Sequence, residues 1–71
     1  MMHRTPVSSS AIASIGYDPD AQMLEVEFLH GGVYQYMNVP QSVYDEFMGA
    51  SSKGNYFDGN IRNVYPTSKV G

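Results

Sequence analysis

Tyr34 and Tyr36, alternating within VYQYMNV, and the cations Lys53 and Arg62 further along are the residues whose types suit a binding chemistry. Single-stranded nucleic acid is held where bases stack on aromatic rings while cations follow the phosphate backbone. These four are therefore the candidate contacts for RNA or another ligand. Tyr44, Tyr56, Phe57 and Tyr65 add rings around the expected helices, and Lys69 adds a third cation. With so few cations such a site is small and weak. The alternative role for these rings is packing, with Tyr56 and Phe57 filling the core beneath a helix.

Other spacings offer less. His3 and His30 are the two imidazoles, and a histidine base needs an adjacent nucleophile and an orienting group, neither of which the sequence supplies. His30 reads as a solvated turn residue. Glu25 and Glu27 share one face of a strand, about 7 Å apart, and read as a solvated surface. Asp18 and Asp20 resemble the start of a calcium loop, but Met23 stands where that loop needs glycine and Leu29 where it needs glutamate. SSKGN places Lys53 and Gly54 ahead of a helix start at Asn55, where backbone N–H groups favour an anion, yet it lacks the phosphate-loop pattern. A turn between helices explains Gly54 without a ligand. Arg62 is spaced to pair with Asp58 one helical turn away. No catalytic residue, metal ligand or cofactor is expected, and the chain reads as non-enzymatic.

Composition sets further bounds. The 71 residues make one domain, close to the size at which burial on folding is only about 60%. Cysteine is absent, so neither a disulfide nor a thiolate metal site staples the fold. The core must do so alone or with a second copy, which keeps a homodimer open. Seven acidic residues against four basic ones give a net charge of −3 and a pI near 5.0, the opposite of a basic footprint for phosphate. No apolar run suits a membrane span, and MMHRTPVSSS is not followed by an apolar signal region. A cytoplasmic location is the expectation.

The elements that must position these residues are legible from the pattern. Residues 1–9, with Pro6 and the run Ser8 to Ser10, read as a flexible lead-in, and a single domain spans 10–71. AIASIGYD predicts a first strand, and DPDAQ a turn in which Asp18 forms an Asx turn. MLEVEFL, with Leu24, Val26 and Phe28 against Glu25 and Glu27, predicts the central strand by its period of two. HGG reverses the chain into VYQYMNV, a third strand. Val43, Phe47 and Ala50 then set a helical stripe, with Ser42 and Asp45 as a variant capping box and Gly49 as a stop. NYFDGNIRN predicts a second short helix capped by Asn55, and Pro66 ends regular helix before the tail. The expected fold is α+β: a three-stranded antiparallel β-meander followed by two short α-helices packed on one face.

The hairpin register decides which way the tyrosines face. A two-residue turn at His30 and Gly31 pairs Phe28 with Val33 and exposes both tyrosines. A three-residue loop ending at Gly32 pairs Phe28 with Tyr34 and sends both inward, because one residue of slip reverses every side chain. Exposed tyrosines would require Gln35 to be buried with a hydrogen-bond partner, whereas a buried tyrosine keeps its hydroxyl at the edge of the core. That favours the inward register.

VSSSAIASIGYD, LEVEF, the glycine turn into YQY, the following VP, and SSKGNYFDGNIRNVYP stand in an order and spacing that resemble the KTSC domain, over about Val7 to Val70. This small domain is found alone in bacterial proteins and at the C-terminus of some lysyl-tRNA synthetases. The Tyr-x-Tyr at Tyr34 and Tyr36 matches the family's recognised motif. The resemblance implies a binding module without an assigned function, for which RNA or tRNA binding has been suggested, and no catalytic residue to carry over. The acidic balance and Gln35 between the tyrosines do not reinforce an RNA partner. The alternative is a protein-interaction or self-association module, which five methionines on adaptable apolar surfaces would suit.

Overall fold

A computed structural model describes residues 3–71. Strands β1 (Arg4–Pro6), β2 (Ile12–Asp18), β3 (Met23–Phe28), β4 (Val33–Tyr36) and β5 (Thr67–Lys69) form one antiparallel sheet in the order β1-β2-β3-β4-β5. Helices α1 (Gln41–Gly49) and α2 (Lys53–Asn60) connect β4 to β5. The fold is α+β as expected, but the sheet has five strands, not three. The two extra strands are edge strands of three residues each. Such strands carry no hydrophobic alternation of their own and form because the exposed ladders of β2 and β4 need partners. Arg4–Pro6 thus adds to the sheet from within the expected lead-in, whose first two residues lie outside the described region. Pro6 is tolerated there because an edge strand can spare an N–H.

The central strand follows its alternation. Leu24 and Val26 are fully buried beneath the helices, while Glu25 and Glu27 lie on the opposite face. In β2, Ile12 and Ile15 are both buried although three residues apart. A register shift between Ile12 and Ser14 inserts Ala13 as an extra residue and returns Ile15 and Tyr17 to the inner face opposite Val26 and Leu24. This bulge accounts for the imperfect alternation of AIASIGYD. The Asp18 turn forms as its sequence implies, with Oδ1 accepting from the N–H groups of Asp20 and Ala21 at 3.0 and 3.3 Å.

The caps of both helices differ from those their sequence suggests, and α2 starts earlier. α1 follows Pro40, whose carbonyl accepts from Val43 and Tyr44, so Ser42 falls inside the first turn and caps nothing. In α2 the cap is Ser52, whose side chain accepts from the Asn55 N–H at 3.2 Å. Asn55 therefore belongs to the first turn, and Gly54 lies within the helix. Phe47 of α1 and Phe57 of α2 join Val39, Ile61 and the inner sheet residues in one core. Tyr17 stacks on Tyr44 with ring centroids 4.8 Å apart, fixing α1 over one end of the sheet.

The two helices are clamped to each other by Tyr56. Its ring stacks on Phe47 at 5.6 Å and its hydroxyl donates to Glu46 Oε1 at 2.9 Å. Burial first, and then the bond to and charge of Glu46, push its phenol up to about 12. A phenol held above its unfolded value of about 10 favours folding below that value, and the contribution is lost as pH rises toward the folded pKa. Ultraviolet titration is expected to show a phenol ionising well after an ordinary tyrosine, with stability falling across that alkaline window. Tyr56→Phe should remove the late step, and its persistence in that variant would assign it to another tyrosine.

Candidate functional site

The hairpin settles the direction of the tyrosines. Val26 pairs with Tyr34 and Leu24 with Tyr36, so both share the helix-covered face. The inward reading holds, although the register is offset by two residues from the expected one: Tyr34 pairs with Val26 rather than with Phe28, and Glu27 closes the ladder against Val33. The longer loop uses Gly31 and Gly32 at φ 107° and 94°, which glycine adopts without a Cβ penalty. A Cβ at Gly32 would stand 3.2 Å from Cε1 of Tyr34, so this glycine also makes room for the ring.

The two rings differ in exposure. Tyr36 is only 6% exposed and meets Phe57 edge-on at 5.5 Å. Burial is the main cause that raises its phenol pKa. Tyr34 is half-buried and meets Phe28 edge-on at 5.6 Å, and Phe28 in turn carries His30 stacked at 5.5 Å. Between this aromatic wall and α2 opens a cavity of about 500 Å³. Phe28, His30, Tyr34, Tyr36 and Phe57 line it on the aromatic side, and Asp58, Arg62, Asn63 and Thr67 supply polar groups. The volume lies within the range of small-ligand pockets.

Three of the four candidate residues, Tyr34, Tyr36 and Arg62, therefore meet in one cavity, and Lys53 does not. Lys53 donates from Nζ to the Ala50 carbonyl at 2.7 Å, satisfying the end of α1 beside a separate serine-lined cleft. Lys69, outside the cavity lining, is set by β5 across from Tyr34 on the same face. That arrangement was hidden because β5 has no sequence signature. Arg62 pairs with Asp58 at 3.4 Å, as their spacing implies, and both side chains stay mostly exposed. His30, at the tip of the hairpin, is solvent-exposed as its turn position implies, and it lines the open edge of the cavity.

The other face of the sheet is polar and internally bonded. Arg4 donates from Nη1 to Glu25 Oε2 and from Nε to Ser14 Oγ at 3.0 Å. Gln35 Nε2 donates to Glu25 Oε1 at 2.9 Å, and Ser14 Oγ donates to Glu27 Oε1 at 2.9 Å. The expected solvated pair is thus split: the Glu27 side chain is 41% exposed and that of Glu25 only 7%. Arg4, brought in by the unforeseen β1, is the reason. These carboxylates face away from the cavity, so the overall acidity of the chain does not describe the surroundings of Arg62 and Lys69. Among the described residues no group of three His, Cys, Asp or Glu is placed to hold a metal, and no helix is long and apolar enough to cross a membrane.

Comparison with known proteins adds relatives to this geometry. The family model for the KTSC domain matches residues 8–65. A small protein of Tsukamurella paurometabola is 42% identical over 57 residues, which is 80% of this chain and 85% of that one. A lysine–tRNA ligase of Nostoc is 39% identical over 56 residues, 79% of this chain but only 10% of the ligase. The crystal structure of a KTSC domain protein from Yersinia pestis superimposes with a TM-score of 0.97 at 52% identity, covering 100% of both chains.

Proposed function

The chain belongs to the KTSC domain family, and from that premise we propose that it is a non-enzymatic binding module that takes an unpaired base of RNA into the aromatic cavity. The observation that carries this reading is the convergence of Tyr34, Phe28 and His30 with Arg62 on one open cavity, with Lys69 alongside Tyr34. The half-buried Tyr34 ring and the exposed His30 ring, both anchored on Phe28, offer stacking surfaces, and the two cations suit the flanking phosphates or base edges. Similarity to part of a lysine–tRNA ligase supports RNA as the partner. Tyr36 serves as a wall of the site, and Tyr34 makes the contact.

Fluorescence anisotropy of the full chain against a labelled single-stranded hexanucleotide tests this directly. Saturable binding in the high micromolar range is expected. Two phosphate contacts on a single strand give a salt slope no steeper than about −1.4. Tyr34→Ala should weaken binding by about 1–3 kcal/mol, the value of one stacked base, with its folded circular dichroism retained. A Tyr34→Ala variant that binds like the parent, or no saturable binding by the parent, would remove this reading. The second reading, a protein partner or a second copy, is favoured by the edge position of β5 with Val70 beside it 52% exposed. A dimer mass in light scattering together with silence toward RNA would support it.

A further inference from the structure

The polar end of the cavity has a pattern of its own. Asp58 and Arg62 both line it, joined through Oδ1 and Nη1 at 3.4 Å, with side chains 63% and 64% exposed. A base seated on the Tyr34 ring would present its edge to this pair. The pair offers a guanidinium donor next to the two acceptor oxygens of a carboxylate. Among the four bases only guanine carries the complementary order on its Watson–Crick edge: the O6 acceptor, then the N1–H donor, then the N2 amine donor. Adenine sets the N1 lone pair against a carboxylate oxygen. Uracil sets O2 against one, and cytosine presents two acceptors where two donors are needed. Such unpaired or repelled polar groups are the usual source of discrimination.

Resting on the reading of the cavity as a site for an unpaired base, we propose that it selects guanine. Asp58 accepts from N1–H and the N2 amine, Arg62 donates to O6, and Lys69 is left for the adjoining phosphate. Charge supports this division. Arg62 is held by Asp58 in a position suited to a base edge, whereas Lys69 on exposed β5 has no acidic partner among the described residues within salt-bridge distance.

The test uses the full chain and labelled uridine hexamers carrying one guanosine, adenosine, cytidine or inosine at an interior position, or none. The guanosine hexamer should bind at least about fivefold tighter than the adenosine, cytidine and all-uridine ones, the low end for a well-formed bidentate contact. Inosine, which lacks the N2 amine, should fall between. Asp58→Asn, at an exposed position, should bring the guanosine hexamer down to the level of the others. Equal binding of all hexamers would overturn guanine selection and leave the RNA reading standing. Retained guanine preference in Asp58→Asn would overturn the role given to Asp58. Absence of binding to every hexamer would overturn both readings together.

Discussion

Tyr36→Ala is expected to lower the melting temperature by at least about 12 °C and to leave a sizeable unfolded population at 37 °C. The residue is 6% exposed, stands against Leu24 in the ladder and meets Phe57 edge-on. Removing a buried aromatic ring costs about 3–5 kcal/mol through lost transfer energy and the cavity left behind. A chain of this length has a total stability of only about 4–10 kcal/mol. Each kcal/mol shifts the midpoint of a domain this small by about 4–8 °C. Thermal circular dichroism decides the matter, and a fall of under 5 °C would mean that the ring is not a supporting wall. Tyr36→Phe keeps the ring and should cost far less. The contrast with Tyr34→Ala matters for function: two tyrosines two residues apart share one motif, but one is expected to be read in stability and the other in binding.

The second large effect lies on the opposite face. Arg4→Ala should destabilise the protein by about 2–3 kcal/mol, because the Glu25 carboxylate, 7% exposed, loses its charged partner and keeps only Gln35. Breaking a pair by removing one member costs more than the pair itself contributes, since a charge is left in a poorly hydrated place. The loss also frees β1, whose guanidinium ties Ser14 and Glu25 together. Urea unfolding measures it, and a change below about 0.5 kcal/mol, the level of an exposed pair, would show that water replaces Arg4 at no cost. Glu27→Gln is the control. That side chain is 41% exposed and lies 4.0 Å from Arg4, so its change should stay near the level of an exposed pair.

These two experiments bear on how the acidic balance of the chain is understood. Net charge argues against a nucleic-acid partner only when the charge is spread evenly. Here Glu25 and Glu27 are on the far side of the sheet, and Arg4 is engaged with them. The cations near the aromatic cavity are Arg62 and Lys69, with Asp58 as the acidic group lining it.

The sequence by itself determined the α+β class, the central strand, the Asp18 turn and the pairing of Arg62 with Asp58, and it favoured the inward direction of Tyr34 and Tyr36 without fixing the register. Each of these rests on an interaction local in sequence: alternation along one strand, a side chain bonding to a backbone two residues on, or a charge pair one helical turn apart. Only the tertiary structure decided the edge strands β1 and β5, the burial of Glu25, and the placing of Lys69 beside Tyr34. These depend on partners 8 to 35 residues away, as in the pairing of Pro6 with Ser14, of Arg4 with Glu25 and of Tyr34 with Lys69. A three-residue polar segment carries no periodicity to announce itself, and it becomes a strand because an existing strand offers it unpaired backbone groups. The cavity follows the same logic, since its walls come from the hairpin, α2 and β5 and exist only once the sheet has brought them together.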